Sequence, residues 1–381
     1  MKMTTNLMIP GPVAIDERVL ASMAEPIVAH YGPEWAAFYN QTVDMAKQVF
    51  QTKADLFILP GSGHYGVEAS IHSLVEPGGE LIVAETGHFG HRMSELAAAN
   101  GIKVHAIEVG YGGVVDPEQV SEALRAHPNA KVVAIVQNET STGLINPIRE
   151  VAQVCSEHDA LLMVDGVSSV GGMDIKVDEW GVDVCVSASQ KCLEAPPGLY
   201  LVSVSQKAVE HMKARKIPIS GWAMNLLKWK ESADEGRAVQ PYYITMAVNL
   251  VRALHTALEM VLAEGLEARF KRHEKIAAAF RKGITALGLE PVGREECASP
   301  TIGVFYVPEG YSDRDILTFV REKHGIQIGG GLGQLSGRTV RVGHMGPGAN
   351  LDKIVPVLDA LQDWLNQEGL LNGRAHGISA N

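Results

Sequence analysis

The chain has 381 residues, 46% of them hydrophobic, and a formal net charge of −11 from 44 acidic and 33 basic side chains. That is the composition of a globular protein long enough for two or three domains, and its acidic balance offers no basic face to nucleic acid or to an anionic membrane surface. The longest apolar runs, such as ALLMV and IHSLV, fall far short of the ~18 residues of a spanning helix.

The N-terminal stretch MKMTTNLMIPGP lacks the long apolar region and small-residue cleavage site of a signal peptide. GISAN at the C-terminus is neither a peroxisomal nor a retention signal. The four cysteines, at 155, 185, 192 and 297, form no CxxC pair and lie in or beside apolar stretches. They read as reduced core thiols of a cytoplasmic protein.

Between residues 50 and 205, strand-like and helix-like patterns alternate. DLFILP, ELIVAET, KVHAIEV, KVVAIVQNE, ALLMVDGV, DVCVSASQ and GLYLVSVS are short continuous runs rich in Val, Ile and Leu. Such runs suit strands buried on both faces of a mainly parallel sheet, with helices covering it on either side. Of the helical stretches between them, VDPEQVSEALRAH carries its own start signal. Asp116 can cap, Pro117 suits the first turn and Gln119 completes a capping box. IREVAQVCSEHD is another helical stretch. A helical pattern then runs from residue 244 to 288, through ITMAVNLV and EGLEARFKRHE, and is expected to be one long connecting element. Beyond it, TIGVFYV, SDRDILTFVREKHG, IQIGGG, TVRVGHMG and NLDKIVPVLDALQDWLNQ form a small α+β unit. The expected organisation is an N-terminal arm (1–20), a large α/β domain (21–260) and a small C-terminal domain (261–381). The boundary lies in the long helix, and no Ser/Gly linker separates the parts.

The loop GSGHYG, Gly61 to Gly66, joins the run DLFILP to the helical stretch VEASIHSLV and matches GxGxxG. The next strand ends near Glu85, where a dinucleotide-binding fold keeps its ribose-binding acid, so a dehydrogenase is one reading. The shared physics is more general: glycines let backbone N–H groups face an anion, and the helix N-terminus adds partial positive charge. The loop therefore predicts a phosphate without naming it. A start as late as residue 61, and the hydroxyl of Ser62 as donor to a single phosphate group, point away from a dinucleotide.

Two residues downstream point further away. Asp165 in ALLMVDGVSSVGG ends a buried strand, where ligands collect in open α/β sheets. Lys191 follows the strand DVCVSASQ and precedes the rigid turn APPG. Taken singly, the aspartate reads as a hydrogen-bonded turn residue and the lysine as a snorkelling one. Taken with the glycine loop, they supply what pyridoxal phosphate needs. These are an amine for the Schiff base, a carboxylate to keep the ring nitrogen protonated and a nest of N–H groups for the phosphate. A desolvated lysine near other cations also has a lowered pKa, which makes it a nucleophile and a base.

In these residues the chain resembles the class V, fold-type I aminotransferases of the alanine/serine–glyoxylate (or pyruvate) group. The matching stretches are PGPVAIDERVL, LPGSGHYGVEA, ETSTGLINPI, VDGVSSVGG, SQKCLEAPPGLYLVS, EGLEARFKRHE and GGLGQLSGRTVRVGHMG, spread over nearly the whole chain. The resemblance implies a large domain built on a mainly parallel seven-stranded sheet, plus a small C-terminal α+β domain. It implies that Lys191 carries the Schiff base and shuttles a proton between the substrate Cα and the cofactor, and that Asp165 pairs with the pyridinium nitrogen. Ser62, Gly63, His64 and Gln190 would surround the phosphate. Thr140 would approach the ring hydroxyl, Val167 would pack on the ring face opposite the incoming substrate, and Phe89 occupies the ring-stacking position, where many relatives have tryptophan. Tyr242 and Thr245 match residues that reach the phosphate from a neighbouring subunit, which implies a homodimer with shared active sites. Arg341 matches the arginine that clamps the substrate carboxylate, and His30 and Tyr31 lie in a substrate-access segment.

The substrates expected from the resemblance are a small L-amino acid, alanine or serine, and a 2-oxo acid, glyoxylate or pyruvate, in a ping-pong exchange. Ureidoglycine–glyoxylate aminotransferases share EGLEARFxRH and VDEW but carry glutamine near His30. Pyridoxamine–pyruvate aminotransferases carry a glutamate at Ser62 and a second arginine at Leu332, so both positions favour bound pyridoxal phosphate here. A PLP lyase would need a mobile thiol, for which Cys297 is the candidate. A non-catalytic binding module would have lost Lys191 or gained a basic segment.

Overall fold

The computed structural model describes residues 6–371. The first five residues of the expected arm, and the last ten of the C-terminal domain with GISAN among them, lie outside the described residues.

The seven apolar runs form one sheet. Its strands are β1 (Asp55–Gly61), β2 (Glu80–Glu85), β3 (Lys103–Glu108), β4 (Val132–Val136), β5 (Leu161–Asp165), β6 (Val184–Ala188) and β7 (Gly198–Val204). They lie in the order β1-β7-β6-β5-β4-β2-β3. Every neighbouring pair is parallel except those of β7, which runs antiparallel to β1 and β6. Every residue of β4, β5 and β6 is buried, which is why these strands are continuous apolar runs rather than alternating ones. Asp165 pairs in register with Val186. The C-terminal ends of β1, β5 and β6 therefore meet at one edge of the sheet, and the glycine loop, Asp165 and Lys191 all leave from that edge.

The helix Pro117–Ala126 starts as its sequence demands: the Asp116 carboxylate accepts the Glu118 N–H at 3.0 Å, and the Gln119 side chain accepts the Asp116 N–H at 3.0 Å. The long helical pattern from residue 244 is not one element. It divides into helices Val248–Glu264 and Leu266–Ala286 at Gly265, whose φ of 82° a helix cannot accommodate. Glycine reaches that region without steric cost. The apolar periodicity on either side is unbroken in the sequence, so the pattern alone conceals the turn.

In the C-terminal part, strands Ile302–Tyr306, Thr339–Gly343 and Gly329–Gly330 form an antiparallel sheet in that order. Helices Asp313–His324 and Leu351–Gln367 accompany it, and Phe305, Val320 and Trp364 share a separate core with Met8. The N-terminal segment crosses between the two cores. Asn6–Leu7 pairs with Ile326–Gln327, Met8 accepts the Gly343 N–H at 2.8 Å, and the Val13 N–H reaches the Gln190 carbonyl at 3.1 Å. No helix among the described residues is long and apolar enough to cross a membrane.

Candidate active site

A cavity of about 280 Å³ opens at the sheet edge that carries Asp165 and Lys191. Larger clefts of about 840 and 670 Å³ lie on other faces, among charged side chains such as Arg281, Glu290 and Arg272, and neither contains Asp165 or Lys191. Ser62, Gly63, His64, Phe89, Thr140, Asp165, Val167, Gln190 and Lys191 all line the small cavity.

Asp165 is buried as the last residue of β5, and its carboxylate accepts the Val167 N–H at 2.9 Å. Burial pushes its pKa up to about 6 against the pull of that hydrogen bond, and the buried Glu139 nearby adds to the rise. Lys191 stands on the turn after β6. The Glu194 N–H returns to its carbonyl at 3.0 Å, the Ala195 N–H reaches the Ser189 carbonyl at 2.9 Å, and the Ser189 hydroxyl donates to the Pro196 carbonyl at 2.6 Å. The turn is thus closed on itself and aims the side chain into the cavity. Desolvation there, and next the Arg341 guanidinium, lower the Lys191 pKa to about 8. Its ammonium donates to the Pro10 carbonyl. A Cβ on Gly11, whose φ is 87°, would stand 2.5 Å from the lysine nitrogen, so only glycine lets the N-terminal segment cover this side chain.

The glycine loop starts the helix Gly63–Leu74. Its N-cap, Ser62, makes no side-chain cap bond, and its first turn holds no acid. The first N–H groups of the helix are left for an anion from outside. A Cβ on Gly63 would lie 2.7 Å from Val167 Cγ2, so the loop closes directly onto the segment that follows Asp165. Gln190 Oε1 and Asn138 Oδ1 belong to residues that line the same space, buried and without a hydrogen-bond partner among the described residues. An amine, a buried carboxylate, an open helix N-terminus, an aromatic side chain and two waiting acceptors are a donor and acceptor set that fits pyridoxal phosphate.

Sequence reasoning does not reach several residues that shape this space. Glu139, one residue before Thr140, is fully buried and accepts the N–H groups of Phe89 at 3.1 Å, Gly90 at 3.1 Å and Ser141 at 3.0 Å, plus the Ser141 hydroxyl at 2.6 Å. It thereby replaces the missing side-chain cap of helix His88–Ala99 and fixes Phe89 over the cavity. Burial raises its pKa despite these donors. In the sequence Glu139 sits in the polar run QNETST, where an acid raises no question, and the helix N–H groups it caps lie about fifty residues away in the chain. Arg92, one turn beyond Phe89, lines the cavity with its guanidinium 3.4 Å from His64 Nε2 and 3.2 Å from His88 Nε2. Asn138 donates to the Ser168 carbonyl at 2.8 Å, and Thr140 shares a 2.6 Å bond with the Ser168 hydroxyl.

Arg341 is the central residue of strand Thr339–Gly343. Its Nε donates to the Gly330 carbonyl at 2.7 Å, and among the described residues its terminal nitrogens take no hydrogen bond. They remain available for a bidentate carboxylate. Because Arg341 is the second cause of the lowered Lys191 pKa, Arg341→Leu is expected to raise that pKa. The rate at which cofactor-free protein takes up pyridoxal phosphate rises with pH as the amine loses its proton, so its midpoint should move above about 8. Stopped-flow absorbance across pH checks this, and an unmoved midpoint would separate the two side chains electrostatically.

His30, Tyr31, Tyr242 and Thr245 are not brought to the cavity within one chain. The His30 ring stacks on Tyr242 at 6.1 Å and meets Tyr31 edge-on at 5.3 Å. The buried Tyr242 hydroxyl donates to the His30 carbonyl and accepts from the Trp35 indole, whereas Tyr31 and Thr245 are exposed. None of the four free cysteines lines the cavity, and Cys297 ends a short turn, Glu295–Cys297, elsewhere. Glu85 is held by His91 at 2.9 Å and by the Ser94 hydroxyl.

Residues 17–342 match the sequence model of the family described as Aminotransferase class-V. The chain is a class V aminotransferase. It is 32% identical to the (S)-ureidoglycine–glyoxylate transaminase of Bacillus subtilis over 97% of this chain and 93% of that one. The crystal structure of the ureidoglycine–glyoxylate aminotransferase from that organism superposes with a TM-score of 0.91, covering 97% of this chain and 95% of its own. Identity is 34% to an alanine–glyoxylate aminotransferase of Drosophila melanogaster, over 96% of this chain and 93% of that one. It is also 34% to an L-aspartate–glyoxylate aminotransferase of Paracoccus denitrificans, over 89% and 86%. Class V aminotransferases use pyridoxal phosphate, and this one has the doubly covered, mainly parallel sheet of their fold.

Proposed function

We propose that this aminotransferase moves the amino group of alanine or serine to glyoxylate or pyruvate, acting in the cytoplasm as a homodimer with shared active sites. What supports the substrate class is the free end of Arg341, suited to an α-carboxylate, together with the alanine–glyoxylate aminotransferase among the relatives.

Pyridoxal phosphate, when bound, supplies an electron-accepting ring that is conjugated to the amino group being transferred. The chain's own residues do the rest. Lys191 holds the cofactor and moves a proton at the substrate Cα. Asp165 holds a proton at the ring nitrogen. The N–H groups of Ser62, Gly63 and His64, with Gln190, receive the phosphate, while Thr140 meets the ring hydroxyl. Val167 and Phe89 enclose the ring, and Arg341 clamps the substrate carboxylate and so fixes which bond at Cα faces Lys191. Tyr242 and Thr245 would reach the phosphate from the second subunit, with His30 and Tyr31 on the access path. Their place away from the cavity of their own chain is compatible with such a contribution. Ureidoglycine as donor is the second reading, supported by the Bacillus subtilis relative. Pyridoxamine as donor is disfavoured by Ser62 and Leu332.

The test is visible absorption of the purified protein with amino acids added singly. L-alanine or L-serine should bleach the band, and glyoxylate or pyruvate should restore it. Bleaching by L-aspartate or ureidoglycine alone would overturn the donor assignment while leaving the family untouched.

A further inference from the structure

We propose that Arg269 is a positioning residue that couples Lys191 to Asp165 by tying the turn that holds Lys191 to the segment that follows Asp165. The inference rests on the roles proposed above for those two residues, not on which amino acid is the donor.

Arg269 lies on helix Leu266–Ala286 and is 2% exposed. Its Nε donates to the Gly171 carbonyl at 2.6 Å. Gly171 lies in the turn Ser169–Met173, which directly follows the turn Gly166–Val170 that leaves Asp165 at the end of β5. From the other end of the same fork, Nη2 donates to the Cys192 carbonyl at 2.8 Å and to the Glu194 carboxylate. Cys192 adjoins Lys191, and Glu194 is in the turn behind it. The two turns touch here: a Cβ on Gly171 would lie 3.1 Å from the Cys192 carbonyl oxygen. Glu194 is one of three non-glycine residues with positive φ among those described, at 59°. Such a backbone costs free energy unless its surroundings hold it, and the ion pair with Arg269 does so.

The hub continues toward the substrate clamp. Arg269 Nη1 donates to Glu264 at 2.8 Å, and Glu264 also takes Arg272 through Nε at 2.6 Å and Nη2 at 2.9 Å. Arg272 donates to the Gly346 carbonyl at 2.8 Å, just past the strand that carries Arg341. A planar guanidinium can address Gly171, Cys192 and Glu194 at once because its donors point in fixed, divergent directions. A lysine ammonium, a compact point donor, cannot span them. Catalytic groups misplaced by ~1 Å can lose ~10²-fold in rate, so loosening this fork should appear in the chemical step rather than in substrate capture.

The experiment compares holoenzyme carrying Arg269→Lys or Glu194→Gln with wild type, in kcat and KM for a working donor and in the pH titration of the bound cofactor's visible band. Cofactor retention on dialysis and the Tm of the cofactor-free protein are measured alongside. The expected result is a kcat lowered about ten- to hundred-fold with KM changed less than about threefold, and a displaced midpoint of the visible band. Should Arg269→Lys fail to fold, Glu194→Gln, which keeps the side chain's shape, is expected to show the same split in milder form. A lowered Tm with unchanged kcat and an unmoved midpoint would make Arg269 merely structural and overturn the inference. Lys191→Ala run in parallel separates the two levels. If it stays active, the Lys191 role fails; if it is inactive while both hub variants behave as wild type, only the coupling fails.

Discussion

Lys191→Ala is expected to abolish turnover, by at least about 10³-fold as for loss of a combined nucleophile and proton carrier, and to leave the fold intact. The substitution removes a side chain that ends in a cavity and, among the described residues, makes one hydrogen bond, to the Pro10 carbonyl. It also removes a desolvated ammonium. The Lys191 pKa is lowered from 10.5 to about 8, so the unfolded chain binds this proton more tightly than the folded one. The resulting penalty is fully present below about pH 8 and fades as pH rises toward 10.5. The cofactor-free variant should therefore have a Tm no lower than wild type at pH 7, with the difference closing above pH 10. Differential scanning calorimetry across pH, with turnover assays at pH 8, checks both halves. An active variant, or one that melts far earlier at every pH, would contradict the account.

Asp165→Asn should separate stability from activity in the same way, with the opposite titration. The carboxyl pKa is raised by burial from 3.8 to about 6, so the folded protein without cofactor binds this proton more tightly than the unfolded chain. The penalty for the buried charge is fully present above about pH 6 and is lost as pH falls through that value toward 3.8. Asparagine carries no charge and keeps an oxygen to accept the Val167 N–H. At pH 7.5 the cofactor-free variant should gain about 1–3 kcal/mol, and the gain should vanish near pH 4. Turnover should fall by about 10²- to 10⁴-fold, because nothing then holds the ring nitrogen protonated. Chemical denaturation of the cofactor-free protein at the two pH values, beside steady-state rates, measures this. A variant that is less stable at pH 7.5 and retains its rate would remove Asp165 from the chemistry.

Much of this was legible in the chain because the physics concerned is local. Strands buried on both faces must be continuous apolar runs, and the seven runs between residues 50 and 205 became the seven strands. The Asp116–Gln119 cap acts across three residues and appears as expected. Lys191 and Asp165 each follow such a run, so a parallel sheet had to bring them to one edge. What was not legible depends on contacts between distant segments. The turn at Gly265 interrupts two helices whose apolar spacing continues through it. Glu139 is explained only by N–H groups at Phe89 and Gly90, and Arg92 only by its place beside His64. The bonds of the Tyr242 hydroxyl to the His30 carbonyl and the Trp35 indole likewise join segments more than two hundred residues apart.

The central claim is that the lysine after β6 binds the cofactor over the carboxylate that ends β5. The most direct test is borohydride reduction of the holoprotein, followed by digestion and peptide mass mapping. The account predicts one cofactor adduct per chain, on Lys191, lost from samples treated first with an excess of the amino donor. An adduct on another lysine, or a cofactor that washes away unreduced, would contradict it.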